Sequence, residues 1–261
     1  MAKQSGKCAF CGGGGLTKEH LWPKWLHPHV VETSKEPYRG GFRMVGVMAN
    51  ANTLVLTPDL VREQGYWRNK RFRVVCKGCN GGWMSSTEQL TRPLIKDMFL
   101  EKPLSLKVED QKSLATWAAL RTCIAEYDDP KHIAVSDNDR ELLMKHGAPP
   151  DHWAIFLGRH NLPGWILRFR HFGAQAALAA FGPELFGRTE KCNTQSTMIG
   201  FNNIALLVVS SSVAAAQQSF RKLSPPGMTR IWPPSDAEVA WPLAEILTSE
   251  QMDANASCLE R

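Results

Sequence analysis

The rhythm of apolar positions changes near residue 85. Before that point the chain is broken by turns: a Cys-Gly-Gly-Gly-Gly run at 11–15, a Pro/Gly-punctuated stretch over 28–46, and two short β-like runs at 53–57 and 71–76. From Ser85 onward, Leu90, Leu94, Ile95, Met98 and Phe99 recur at helical spacing. Ser85 and Glu88 are spaced as a capping box, and Pro93 is expected to kink or split this helix. A second helix is predicted over 111–127, with Leu114, Trp117, Ala118, Arg121 and Ile124 along it and its Trp and Cys assigned to the core. A third is predicted over 136–146, and strands over 153–158, 165–172, 195–199 and 204–210. Within 165–172 the alternation puts Arg168 and Arg170 on one solvated face. The most apolar run, 204–216, is too short to span a bilayer and rich in β-branched residues and serine, as a buried strand is. The tail from Pro225 is proline-rich and then polar and receives no assignment. The pattern predicts an α+β chain in two parts, 1–100 and 101–261, the second holding helices and an antiparallel sheet.

Composition changes this picture little. Hydrophobic residues make up 43% and charged residues 21% of 261, an ordinary globular balance that excludes disorder and fibrous repeats. The chain shows neither a secretory h-region nor a membrane-length apolar run, so a cytoplasmic protein without membrane contact is expected. Charge changes it more. Residues 1–100 carry fifteen Lys and Arg against seven Asp and Glu, while the remainder is slightly acidic. A basic half of this kind suits a polyanion, because each neutralised phosphate releases condensed counterions; a solvated basic surface is the plainer reading.

Seven cysteines are present, and four of them form two C-x-x-C pairs, Cys8/Cys11 and Cys76/Cys79. Two such pairs suit a tetrahedral Zn²⁺ site, with Gly12 and Gly81 expected to let backbone amides turn toward sulfur. Four thiolates leave no open position for water, so this ion is expected to be structural, stapling a segment that has little apolar surface of its own.

Around these pairs lie Thr17-Lys-Glu-His-Leu-Trp-Pro-Lys-Trp25 and Cys79-Asn-Gly-Gly-Trp-Met-Ser85. Glu-His followed by Pro, and Cys-x-x-Cys-Asn, resemble the HNH (ββα-metal) nuclease family, in its zinc-knuckle variant, over roughly the first third of the chain. The resemblance implies a β-hairpin and a helix gripping one divalent cation, Mg²⁺ or Mn²⁺, with Glu19 as acidic ligand, Asn80 as closing ligand and His20 as general base. Such residue types suit phosphodiester hydrolysis, which needs a base near neutral pH and hard oxygen donors for the cation. Asn69 is the nearest counterpart of the middle asparagine that orients the base. Asn52 lies on the far side of an insertion, Glu19 stands where many members carry Asp, and Trp83 takes the place of a third histidine. Lys24, Arg68, Lys70, Arg71 and Arg73 flank the site as candidate DNA-phosphate contacts.

Other histidines receive plainer readings: His27 and His29 as loop bystanders, and His132, His146, His152, His160 and His171 without a role. Trp22, Trp25 and Trp83 are expected to pack around the hairpin rather than stack on bases. The function expected is a metal-dependent DNA endonuclease, with a homodimer or a regulatory partner engaging the second part. Three other readings fit the same residues: a zinc-knuckle nucleic-acid-binding module without catalysis, a ligand-triggered nuclease effector in phage defence, and a zinc-stapled structural protein.

Overall fold

The computed structural model of the protein describes residues 6–30, 39–43, 45–47, 54–56, 60–63, 69–176 and 191–259, with only the backbone described for the strands between 39 and 63. Arg68 and Asn52 lie outside the described residues. The chain opens with β1 (Leu16–His20), followed by a 3-10 turn at Lys24–His29. Next come β2 (Arg39–Arg43), β3 (Val45–Val47), β4 (Leu54–Leu56), β5 (Leu60–Glu63) and β6 (Arg71–Cys76). The single turn α1 (Lys77–Cys79) leads through a π-type turn, Asn80–Met84, into α2 (Ser85–Phe99). Then follow β7 (Leu104–Leu106), α3 (Val108–Ala125), α4 (Asp137–His146), β8 (Ala154–Arg159), β9 (Arg168–Ala174), β10 (Thr194–Phe201) and β11 (Ile204–Ser211). The chain ends through α5 (Ala214–Lys222), β12 (Thr229–Trp232), β13 (Val239–Trp241) and α6 (Ser249–Ala256). The mixed α+β class read from the sequence is the class observed, with the cysteine pairs near the N-terminus.

β1 and β6 pair antiparallel, Leu16 opposite Cys76 and His20 opposite Arg71, with a bulge between Thr17 and Lys18. The helix that follows starts earlier than expected. Cys76 caps it, its sulfur accepting from the Cys79 amide; the backbone kinks at the non-helical Gly82, and Ser85, already helical three residues later, is no cap. Pro93 does not split α2: the residue lies on the exposed side, where its missing N–H and ring are tolerated while Thr91, Ile95 and Met98 stay buried.

The larger sheet has seven strands in the order β12-β8-β11-β10-β9-β2-β5. Its pairings are antiparallel except β2 with β9, which is parallel. β2 and β5 belong to the long connection between the two hairpin strands, so segments on both sides of residue 100 share this sheet. The reason 204–209 reads as unbroken apolar sequence is that β11 is covered on both faces. Ile204, Leu206 and Val208 join the core that includes Leu114, Trp117 and Leu120 of α3, whereas Ala205, Leu207 and Val209 join Phe220 of α5 and Met252 of α6. The unassigned tail supplies β12, β13 and α6, which the prolines had obscured. Among the strands expected, 165–172 is displaced to Arg168–Ala174: Pro163–Trp165 forms a 3-10 turn, and the Arg168 guanidinium lies 4.8 Å over the Trp165 ring. Among the described residues no helix is long and apolar enough to cross a membrane.

Candidate functional site

The hairpin register brings the two cysteine pairs together, because Leu16, five residues beyond Cys11, sits opposite Cys76. The four sulfurs of Cys8, Cys11, Cys76 and Cys79 all lie within 4.8 Å of one another, and Cys11 Sγ is 3.6 Å from Cys76 Sγ. A tetrahedral zinc with bonds of about 2.3 Å needs sulfurs about 3.8 Å apart, so the spacing fits such an ion. The four cysteines are therefore suited to hold a metal such as zinc. The first knuckle turns as expected: Gly12 adopts φ 69, and the Gly13 amide donates to Cys11 Sγ at 3.4 Å. In the second, the amide that meets sulfur is that of Cys79 itself, to Cys76 Sγ at 3.3 Å, and Gly81 lies beyond it in the π-type turn. At Cys8, burial raises the thiol, but hydrogen bonds from the backbone of Cys11, Cys76 and Phe10 outweigh it and bring the thiol to about 7.

Beside the cysteines lies a cavity of about 190 Å³ lined by Glu19 and His20 from the end of β1, Lys24 and Trp25, Asn80, Glu88 of α2 and Arg121 of α3. Asn80 follows the last cysteine, so the knuckle fixes the point at which it enters the wall. Its Nδ2 donates to Thr17 Oγ1 at 3.0 Å, and Thr17 in turn donates to the Val75 carbonyl at 3.1 Å. With the nitrogen engaged on the hairpin, Oδ1 is the donor atom that Asn80 has to offer a cation. His20 is partly buried, and desolvation lowers its pKa below the ordinary histidine value; Glu19 opposes this, while Lys24, Arg71 and His27 add to it. The His27 ring, expected to be a bystander, lies edge-on 6.5 Å from that of His20.

Two cavity residues escaped the sequence reading. Arg121, 2% exposed, donates through Nη1 to Glu19 Oε1 at 3.1 Å and to the His20 carbonyl at 3.0 Å, while Nη2 lies 3.1 Å from Glu88 Oε1. Glu88, taken for a cap partner, accepts instead from the indole N–H groups of Trp25 and Trp117. Burial pushes its carboxyl up, against the pull of Arg121 and the two indoles. A signal for Arg121 was present: it is the one charge in the run Leu114–Ala125, and a charge held inside an apolar helix needs a partner.

The remaining expected residues scatter. Asn69 is exposed, two positions before the Arg71 that pairs with His20, and no hydrogen bond joins it to His20 among the described residues. Lys24 is exposed at the cavity wall. Arg71 and Arg73 are exposed along β6, with Arg73 also donating to the Leu16 carbonyl. Lys70 is turned inward, ion-paired with the buried Asp128 and 5.4 Å over the Phe72 ring. Trp22 is buried and Trp83 meets Phe10 edge-on at 4.9 Å, so both pack around the hairpin as expected.

Glu19 and Asn80 offer oxygen donors of the kind a hard divalent cation takes, and the Glu19 carboxylate accepts from Arg121. In comparisons with protein-family models, curated proteins and solved structures, nothing matches this chain.

Proposed function

We propose that the protein is a metal-dependent DNA endonuclease of the HNH type, its hairpin and following helix forming a ββα-metal module. The observation that supports this reading is that Glu19 and His20, at the end of one hairpin strand, and Asn80, sixty positions away behind the second cysteine pair, line one cavity. Glu19 and Asn80 would hold Mg²⁺ or Mn²⁺, which when bound stabilises charge on the phosphate and the leaving oxygen. His20 takes the proton of the attacking water on a ring nitrogen, and its lowered pKa keeps the imidazole neutral near pH 7. Lys24, exposed at the cavity wall, and Arg71 and Arg73, exposed along β6, would receive the DNA backbone.

The test is cleavage of supercoiled plasmid by zinc-loaded protein given Mg²⁺ or Mn²⁺. His20→Ala is expected to lower the rate by roughly 10²–10⁴-fold. Equal cleavage by wild type and His20→Ala would assign the activity to another source. A second reading is favoured by two details: Arg121 already engages Glu19, and among the described residues no hydrogen bond joins Asn69 to His20. On that reading the module binds nucleic acid without cutting it, and plasmid retention at low salt with no cleavage under either ion would select it.

A further inference from the structure

Arg121 lies in the middle of α3, inside the core, yet its directed hydrogen bonds leave the helix for the hairpin. Nη1 serves the Glu19 carboxylate and the His20 carbonyl and lies 3.5 Å from the Leu21 carbonyl. Nε and Nη2 form no aligned hydrogen bond, although Nη2 is within ion-pair distance of Glu88. An arginine serving only to neutralise Glu88 would favour the bidentate fork of which guanidinium is capable. Here the fork is given up, and the one donor that is fully used reaches the strand end carrying both cavity residues. Glu88, with Trp25 and Trp117 on its oxygens, anchors the other side of the guanidinium.

We infer that Arg121 is a positioning residue, which orients the Glu19 carboxylate and fixes the backbone at His20 so that the cavity presents a preformed divalent-cation site. This rests on the reading of the cavity as a nuclease site. A ligand carboxylate is commonly oriented by a hydrogen-bonded outer partner, and losing such a partner typically lowers metal affinity by roughly 10–100-fold. What is unusual is the origin of the partner: it comes from α3, a helix of the large core, and not from the hairpin and helix that carry the donors.

The experiment is Mn²⁺ binding to zinc-loaded protein, followed by the loss of the free-ion electron paramagnetic resonance signal, so that it does not depend on cleavage. Glu19→Gln defines the site in the wild-type background. Removing Arg121 alone leaves Glu88 buried without its cation, so the informative variant is Glu88→Gln with Arg121→Met, which removes both charges and leaves an amide oxygen to accept from one of the two indoles. Glu88→Gln alone keeps the bond from Arg121 to Glu19. The expected result is a Mn²⁺ dissociation constant at least tenfold weaker for the double variant than for Glu88→Gln, the comparison that isolates Arg121. Zinc content and near-ultraviolet circular dichroism are expected to stay unchanged in both. Unchanged or tighter Mn²⁺ binding by the double variant would overturn the inference and leave Arg121 as a structural tie. Wild-type protein with no Mn²⁺ binding sensitive to Glu19→Gln would overturn the nuclease reading together with it.

Discussion

Just beyond β8, His160 accepts a hydrogen bond from the Leu162 amide on Nδ1 and donates to the Ile204 carbonyl through Nε2, both at 3.2 Å, which defines a neutral imidazole. Burial lowers its pKa to about 4, with the Ile204 bond only partly opposing. The unfolded chain binds a proton near pH 6.5 and the folded chain does not, so stability falls as the pH drops from about 6.5 toward 4. The loss attributable to this residue reaches about 3 kcal/mol at pH 4. Urea denaturation at pH 7 and pH 4 should therefore show a steeper decline in wild type than in His160→Gln; parallel declines would contradict the argument. At this scale the sequence is informative where residue type and local spacing coincide, as at Cys8, Cys11, Cys76 and Cys79, whose sulfurs come together. It is silent where a role depends on a distant element. Glu88 has the spacing of a cap yet meets a helix 29 and 33 positions further on, and Lys70 has the setting of a phosphate contact yet pairs with Asp128.

Strands β8 and β11 follow from apolar runs that two packed faces require, β9 from alternation, and α3 and α4 from helical periodicity with a Ser136 cap at the start of α4. Close packing between elements carries no such periodic mark. Gly200 of β10 is an example: a Cβ there would stand 2.4 Å from the Trp165 carbonyl and 3.0 Å from its ring, so the 3-10 turn at Pro163–Trp165 rests directly on the strand. Gly200→Ala has to displace backbone and not a flexible side-chain end, and should cost about 1–3 kcal/mol in equilibrium denaturation. A neutral result would mean that the turn can lift off β10. The tail was obscured for a related reason, since its prolines punctuate segments that pair only through long-range partners, β12 on β8 and β13 on β7. The insertion between hairpin strands gives no local sign that β2 will lie parallel to β9, because that pairing joins residues more than a hundred positions apart.

One continuous cluster of buried side chains runs from Cys8 and Phe10 through Trp22, Met84, Leu114 and Trp117 to Ile155 and Trp241, so the cysteine site is packed into the same core as the large sheet. Cys79 Sγ also approaches Met144 Sδ of α4 at 3.7 Å, and Arg121 ties α3 to the end of β1. A metal held by the four cysteines would therefore stabilise more than its own knuckles. Without it the thiolates repel or take up protons, the hairpin end loosens, and both Phe10 against Trp83 and Arg121 against Glu19 lose their fixed partners. Removing the ion with a strong chelator, or Cys76→Ser, is expected to lower the melting temperature by roughly 10 °C, the scale of a few kcal/mol for a chain of this length. Tryptophan fluorescence and far-ultraviolet circular dichroism should report one shared transition, because Trp22, Trp117, Trp153, Trp232 and Trp241 all belong to that cluster, with residues of the hairpin and of the seven-stranded sheet, and readded zinc should restore it. Two separate transitions, with the sheet melting at its original temperature after the metal is gone, would show instead that the hairpin and the sheet fold as independent units despite their shared core.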